Sequence, residues 1–460
     1  MHAEPSPRAP SDPGPWYRGL TRYHWFVFAM AALGWMFDTM DQQLFVLARN
    51  PAMQHLLDTA PTDPRIDKYG GYVTMVFMMG WAIGGLGFGI LGDRLGRART
   101  MMMTILVYSL FTGLSALSVS VWDFAAYRFL TGLGVGGQFA VGVALVAEVM
   151  PDRSRPFALA WLQALSAIGN ITAAVVNLWL GHLQREGVFG SAAGLRPWQI
   201  MFLIGTLPAL LTLFIMRRLR EPERWKAVAA EEAVHRQLGS LRELFGDPVL
   251  RRNTIVGMLL AFAGVVGLWG IGFFSFDLIR AVLRQPFEAE GLSKDAIAGE
   301  LMFWVGIVSI VQNVGGFLGI QFFSKVTHRT GRKPAFALAF VLALGSTAFT
   351  FAFLRTFSDV FWMIPLMGFC QLALFGGYAI YFPELFPTRL RSTGTSFCYN
   401  VGRFVAAVGP LTLGLLAGEV FSGSREDRLR AAGVTMCVFF LIGLIVLPFA
   451  PETRGKPLPE

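Results

Sequence analysis

From residue 24 to residue 449 the chain alternates long apolar runs with short polar segments. A window of about 19 residues marks twelve runs. Six lie near 24–47, 70–91, 101–119, 124–147, 158–180 and 198–216, and six near 254–279, 301–323, 335–353, 360–381, 393–418 and 432–449. Roughly 20 apolar residues coil into a helix that crosses the hydrocarbon layer. Backbone polar groups in lipid must be satisfied within their own segment, so each run predicts a transmembrane helix. The polar remainder divides the chain into a Pro-rich tail expected to be disordered (1–22), a first half (23–216), a helix-prone linker (217–252), a second half (253–449) and a short tail (450–460).

The polar segments repeat. Gly89–Arg99 reads G-I-L-G-D-R-L-G-R-A-R, and Ser324–Lys333 carries Arg329, Gly331 and Arg332 where the first copy has Arg94, Gly96 and Arg97. Glu148-x-x-Pro151-x-Arg153-x-Arg155 returns as Glu384-x-x-Pro387-x-Arg389-x-Arg391. Gly96 to Gly331 is a shift of 235 residues and Glu148 to Glu384 one of 236, so two independent matches share nearly one offset. The chain is therefore read as two six-helix halves facing each other around a central cavity.

Composition rules out the soluble domains that 460 residues would otherwise suggest: hydrophobic residues make up 54% and charged residues only 15%, at a mean hydropathy of +0.52. The net charge of +9 does not point to nucleic acid, because the basic residues fall in short clusters between apolar runs. Putting both termini in the cytoplasm assigns 25 of the 39 Lys and Arg to that side, the orientation that positive charge selects. The expected location is the plasma membrane, as a monomer in the bilayer. The first run is too long for a signal-peptide core, so no cleaved leader is expected. Cys370, Cys398 and Cys437 sit in apolar runs without metal-ligand or C-x-x-C spacing. Neither a G-x-x-x-x-G-K-[ST] loop nor an H-E-x-x-H helix occurs, which disfavours ATP-driven transport and zinc hydrolysis.

The G-x-x-x-D-R-x-G-R loop resembles the segment between helices 2 and 3 of the major facilitator superfamily. Arg128-x-x-x-Gly132-x-Gly134-x-Gly136-Gly137 resembles the helix 4 signature of the same superfamily. Glu221-Pro-Glu-Arg and Pro451-Glu-Thr-Arg-Gly-Lys resemble the tags that follow helices 6 and 12 in its sugar-porter branch. The resemblance implies an all-α membrane protein of twelve helices in two pseudo-symmetric halves that carries a small polar metabolite by alternating access, with no enzymatic activity and no cofactor beyond a coupling proton.

Three groups of residues carry the expected chemistry. Gly89, Asp93, Arg94, Gly96, Arg97, Glu148, Arg153, Arg329, Gly331, Arg332, Glu384 and Arg389 form a cytoplasmic gate. A loop that only sets topology needs no acid, so Asp93 points to a charge latch between the halves. His328 stands where Asp93 stands and Ser324 where Gly89 stands, which leaves gating in the second half to Glu384 with Arg389 and Arg391. Asp38 and Asp41 share one face of helix 1. An ionised carboxylate in mid-membrane costs about 3 kcal/mol on insertion scales unless paired or protonated, so this pair is the candidate proton carrier, with Arg128 as countercharge. Its D-x-x-D spacing resembles helix 1 of the aromatic-acid and sialic-acid proton symporters, and Asp41 matches the helix 1 acid of proton-coupled sugar porters. Polar or aromatic residues within spans, namely Gln138, Gln163, Asn170, Trp269, Gln312, Asn313, Gln371, Tyr378, Asn400 and Arg403, are candidates for the substrate cavity or for interhelical hydrogen bonds. Arg403 would hold a substrate carboxylate, pair with Asp277 or snorkel to the inside end of its span. Helix 7 lacks the paired glutamines of sugar porters, which favours an organic acid anion over a sugar or polyol, and retention of the proton and gating residues disfavours a non-transporting sensor.

Overall fold

The computed structural model describes residues 15–59, 64–185, 194–207, 218–231, 238–292, 294–406, 416, 420–422 and 425–459. Among the described residues each of the twelve apolar runs contains a helix: α1 (Arg22–Leu56), α2 (Pro64–Leu95), α3 (Arg97–Ser115), α4 (Val121–Val149), α5 (Arg155–Arg185) and α6 (Pro197–Ile204) in the first half. The second half holds α7 (Pro248–Val265, a π turn at Val266–Ile271, then Gly272–Ala289), α8 (Lys294–Thr330), α9 (Arg332–Phe353), α10 (Phe357–Tyr381), α11 (Arg391–Ala406) and α12 (Arg425–Met436 and Phe439–Val446). Residues 1–14 of the expected tail, the ends of the α6 and α11 runs, and residues 217 and 232–237 of the expected linker lie outside the described residues. Several helices extend beyond the expected runs, among them α8, which spans Lys294–Thr330 against 301–323. α1 continues through Pro51 to Leu56, and α7 starts at Pro248 because Asp247 accepts from the Val249 and Leu250 N–H groups while Pro248 takes the first helical position.

Local sequence explains why the halves match. α4 opens on a capping box of Ser120 and Asp123, and α10 on one of Thr356 and Asp359, again 236 residues apart. Gly96 and Gly331 turn the chain into α3 and α9 with φ of 106° and 103°, a region that residues with a Cβ rarely adopt. α2 packs on α4 through Gly80, Gly84, Gly132 and Gly136, where an added Cβ would overlap the facing backbone. α8 packs on α10 in the same way through Gly315, Gly319 and Gly368. Small residues let spanning helices approach closely where no hydrophobic driving force separates them from lipid. The helix 4 glycines therefore serve packing, Gly134 facing α3 and Gly137 facing Phe88 of α2 and Thr104 of α3.

α2 and α4 of the first half meet α11 of the second, and α5 meets α8 and α10. These contacts form the seam between the halves. The short helices Glu223–Ala230 and Leu241–Gly246 lie against the end of the bundle that carries the Gly96 and Gly331 turns, called here the latch end.

Candidate functional site

At the latch end the Asp93 side chain crosses from α2 to the start of α11. Its carboxylate, fully buried, accepts from the backbone N–H of Ser392 (3.1 Å) and Thr393 (2.8 Å) and from the Thr393 hydroxyl (2.6 Å). An acid at the end of α2 thus caps the N-terminus of α11 in the other half, where unpaired N–H groups and the helix dipole favour negative charge. Arg97 lies 3.0 Å from Asp93 and 2.9 Å from Glu148, and Arg391 of α11 reaches the same Glu148 at 2.8 Å. Arg97 also donates to the Thr388 carbonyl across the seam. Gly89 and Gly92 admit α11, since a Cβ on either would strike Ser396 or Ser392.

The linker joins this cluster. Arg94 donates to the Leu238 carbonyl (3.1 Å), Trp225 donates to the Asp93 carbonyl (2.8 Å), and Arg389 pairs with Glu243 at 2.6 Å. Arg389 and Arg391 were expected to serve Glu384, and neither does. Glu384 instead binds Arg332 (2.7 Å) and accepts from the Thr453 hydroxyl (2.6 Å), both in its own half. Arg153 and Arg329 are exposed, and the buried arginine of the first repeat is Arg155, which donates to the Ala147 carbonyl and pairs with Asp152.

The missing second latch has a two-sided cause. Where Ser392 and Thr393 offer N–H groups to Asp93, the equivalent start of α5 has Pro156, which has no N–H, and Phe157. His328 packs its ring on Phe157 at 5.1 Å between centroids, so an aromatic contact across the seam replaces the acid cap. The two post-helix tags play matching parts: Glu221 accepts from the Ala98 and Arg99 N–H groups, and Glu452 from those of Arg332 and Lys333. These were read only as family tags, because their partners at the Gly-Arg turns lie more than a hundred residues earlier in the chain. Burial works against the Glu452 charge, but the backbone donors of Arg332, Lys333 and Arg454 outweigh it and hold its carboxyl below the ordinary 4.5.

Midway along the bundle the charged side chains form two sets. Asp41 lies 3.7 Å from Arg128 and accepts from the Thr112 hydroxyl (2.6 Å), while Arg128 donates to Thr112, Thr131 and Ser115 at 3.0–3.1 Å. Of the two helix 1 acids, Arg128 therefore chooses Asp41. Arg128 also lies over the ring of Phe202 at 4.7 Å, so this set stays inside the first half. Asp38, fully buried one turn away, acts electrostatically on Asp41 and on Arg403. Arg403 of α11 lies between the rings of Trp81 (4.0 Å) of α2 and Tyr399 (4.2 Å), and Tyr399 stacks on Phe139 of α4 at 4.1 Å. A desolvated cation between two rings gains about 2 kcal/mol or more from each quadrupole, which fixes the guanidinium without neutralising it.

The uncharged candidates separate. Gln138 accepts from Thr104 and Gln371 donates to Thr347, matching bonds in the two halves, and each amide keeps one buried atom with no hydrogen-bond partner among the described residues. Gln163 is buried with its Oε1 in the same condition. Asn170 donates to Asn313 (3.1 Å), a polar bridge between α5 and α8. Gln312 is buried against Gly368. Tyr378 donates to the Leu260 carbonyl (2.6 Å) and serves the α7–α10 contact, and Asn400 donates to Ser396 at the α2 seam. The Trp269 and Asp277 side chains lie outside the described residues.

Two charged sets thus lie near the centre, between halves joined at one end. The chain matches the Major Facilitator Superfamily over residues 25–311 and belongs to it. It is a multi-pass membrane transporter of that superfamily, not an enzyme. The niacin transporter NiaP of Acinetobacter baylyi is 25% identical over 95% of this chain and 96% of that one. The cis,cis-muconate transport protein of the same organism is 26% identical over 83% and 84%. Among solved structures, the proton:xylose symporter XylE of E. coli superposes with a TM-score of 0.69 at 18% identity, covering 95% of this chain and 98% of that one. At that identity the likeness shows the fold alone.

Proposed function

We propose that the protein is a proton-coupled symporter of a small organic acid anion, with the latch end and both termini on the cytoplasmic side of the plasma membrane. The observation that carries this reading is Arg403, a cation buried midway between the halves and held between Trp81 and Tyr399. An arginine inside a spanning helix marks a substrate or ion pathway. Arg403 offers a carboxylate a guanidinium fork whose orientation the two rings already hold. Niacin and cis,cis-muconate, the cargoes named for two relatives, are both carboxylic acids.

Coupling follows from the helix 1 acids. Protonation of Asp41 dissolves its attraction to Arg128, and an anion at Arg403 competes with the field of Asp38. Each event changes a charge pair that one conformation favours, which is what an ion or substrate must do to shift an equilibrium. The latched form is then outward-facing. Release of Asp93 from the start of α11 opens the other side, the rearrangement of one half against the other expected of a two-repeat carrier.

The test is thermal stabilisation of the purified protein. Nicotinate and muconate are expected to raise its melting temperature, neutral hexoses are not, and Arg403→Gln should remove the shift. A shift produced by hexoses and untouched by Arg403→Gln would instead establish a sugar carrier.

A further inference from the structure

At the latch end a groove of about 440 Å³ runs between the start of α7 and the end of α12. Ile255, Leu259, Ile445 and Phe449 line its apolar part, and Arg251 and Arg252 stand at its polar rim. Ile445 is 68% and Phe449 61% exposed, so the groove opens sideways, toward the bilayer that surrounds these helices. We propose that it binds an anionic phospholipid, with the phosphate at Arg251 and Arg252 and one acyl chain along Ile255, Leu259 and Ile445.

The two ends of the groove call for opposite chemistry, and a lipid supplies both. From Arg252 to Leu259 the helix rises about 10 Å, roughly the stretch an upper acyl segment would cover. The Arg252 guanidinium is anchored, its Nε and Nη2 donating to the Phe449 carbonyl at 3.0 and 2.8 Å. A phosphate therefore meets a side chain whose freedom is already spent. Arg251 beside it is exposed. The nearest acid in sequence, Asp247, has its Oδ1 committed to the Val249 and Leu250 N–H groups at the start of α7. Basic pockets between spanning helices favour anionic head groups over zwitterionic ones, whose own ammonium competes with the arginines. A free phosphate would leave the apolar part uncovered.

Native mass spectrometry of the full chain in detergent tests this with phosphatidylglycerol, phosphatidylcholine and inorganic phosphate as probes. Phosphatidylglycerol is expected to be retained on the order of tenfold more than phosphatidylcholine. Arg251→Gln should lower that preference severalfold, and Arg251→Gln with Arg252→Gln should abolish it. Arg252 also braces Phe449, so a third variant, Ile445→Trp, keeps both charges and fills the groove; it should lose the lipid as well. Equal retention of the two lipids, phosphatidylglycerol binding undiminished by both Arg251→Gln and Ile445→Trp, displacement of the lipid by millimolar phosphate, or a dimer in place of the bound lipid would each overturn the proposal. None of these readouts depends on proton coupling or on the transported substrate.

Discussion

Replacing Asp93 by Asn isolates the latch, because the substitution keeps the shape and removes the charge. Asp93 accepts three hydrogen bonds from α11 and faces Arg97 at 3.0 Å, and all of its α11 contacts cross the seam. Asn keeps one acceptor oxygen, so its NH2 must face either the N–H groups of α11 or the guanidinium of Arg97. A hydrogen bond to a charged group contributes about 1.5–3 kcal/mol, and charge at a helix N-terminus about 0.3–1 more. The loss falls on the latched form alone and comes to about 2–4 kcal/mol, a shift in the closed-to-open ratio on the order of 30- to 1000-fold. Val141→Cys, at a fully buried position behind Gly92, provides the reporter. A bulky impermeant maleimide applied from the latch side should label it far faster in the Asp93→Asn background. Unchanged labelling at normal expression would refute the reasoning and leave Asp93 as part of a topogenic loop.

Other expectations follow from the same contacts. Asp41→Asn should abolish uptake against a gradient while substrate exchange stays measurable, and uphill uptake surviving in both Asp41→Asn and Asp38→Asn would remove helix 1 from the coupling scheme. Glu148→Gln and Glu384→Gln each strip a buried arginine of its acid, a loss of about 3–5 kcal/mol by analogy with other buried pairs, and both should lower the melting temperature. Only Glu148→Gln should also speed Val141→Cys labelling, since Glu148 holds Arg391 of the other half whereas Glu384 holds Arg332 and Thr453 of its own. Glu452 has its carboxyl held below the ordinary 4.5, so its contribution to stability is complete above that pH and is lost as the pH falls through its lowered value. Melting curves taken from pH 7 downward should therefore show a smaller acid loss in Glu452→Gln than in the parent.

The fold was legible because lipid imposes a strict rule: a run of apolar residues must be a helix, and two motifs at one offset fix the duplication. Chemistry within the spans was less legible. Sequence placed Asp38 and Asp41 on one face of α1 but could not say which would meet Arg128, since that depends on Thr112, Ser115 and Thr131 arriving from α3 and α4. It paired Arg389 and Arg391 with Glu384 because they follow it in the chain, whereas the folded seam carries Arg391 to Glu148 and the linker brings Glu243 to Arg389. The role of Glu221 and Glu452 at the turns was hidden for the same reason, each partner lying more than a hundred residues away. The absent second latch was half legible: His328 was visible as a departure from Asp93, but its complement, Pro156 where a donor is needed, gains meaning only once α5 and α8 meet.

The central claim is coupling of a proton to an organic anion, and the most direct measurement is uptake of labelled nicotinate and muconate into proteoliposomes under an imposed pH gradient, acid outside. The account predicts accumulation of an acid above its external concentration, collapse of that accumulation on adding an uncoupler, and its loss in Arg403→Gln. Uptake that ignores the gradient and the uncoupler, or an equal accumulation of a neutral hexose, would contradict it.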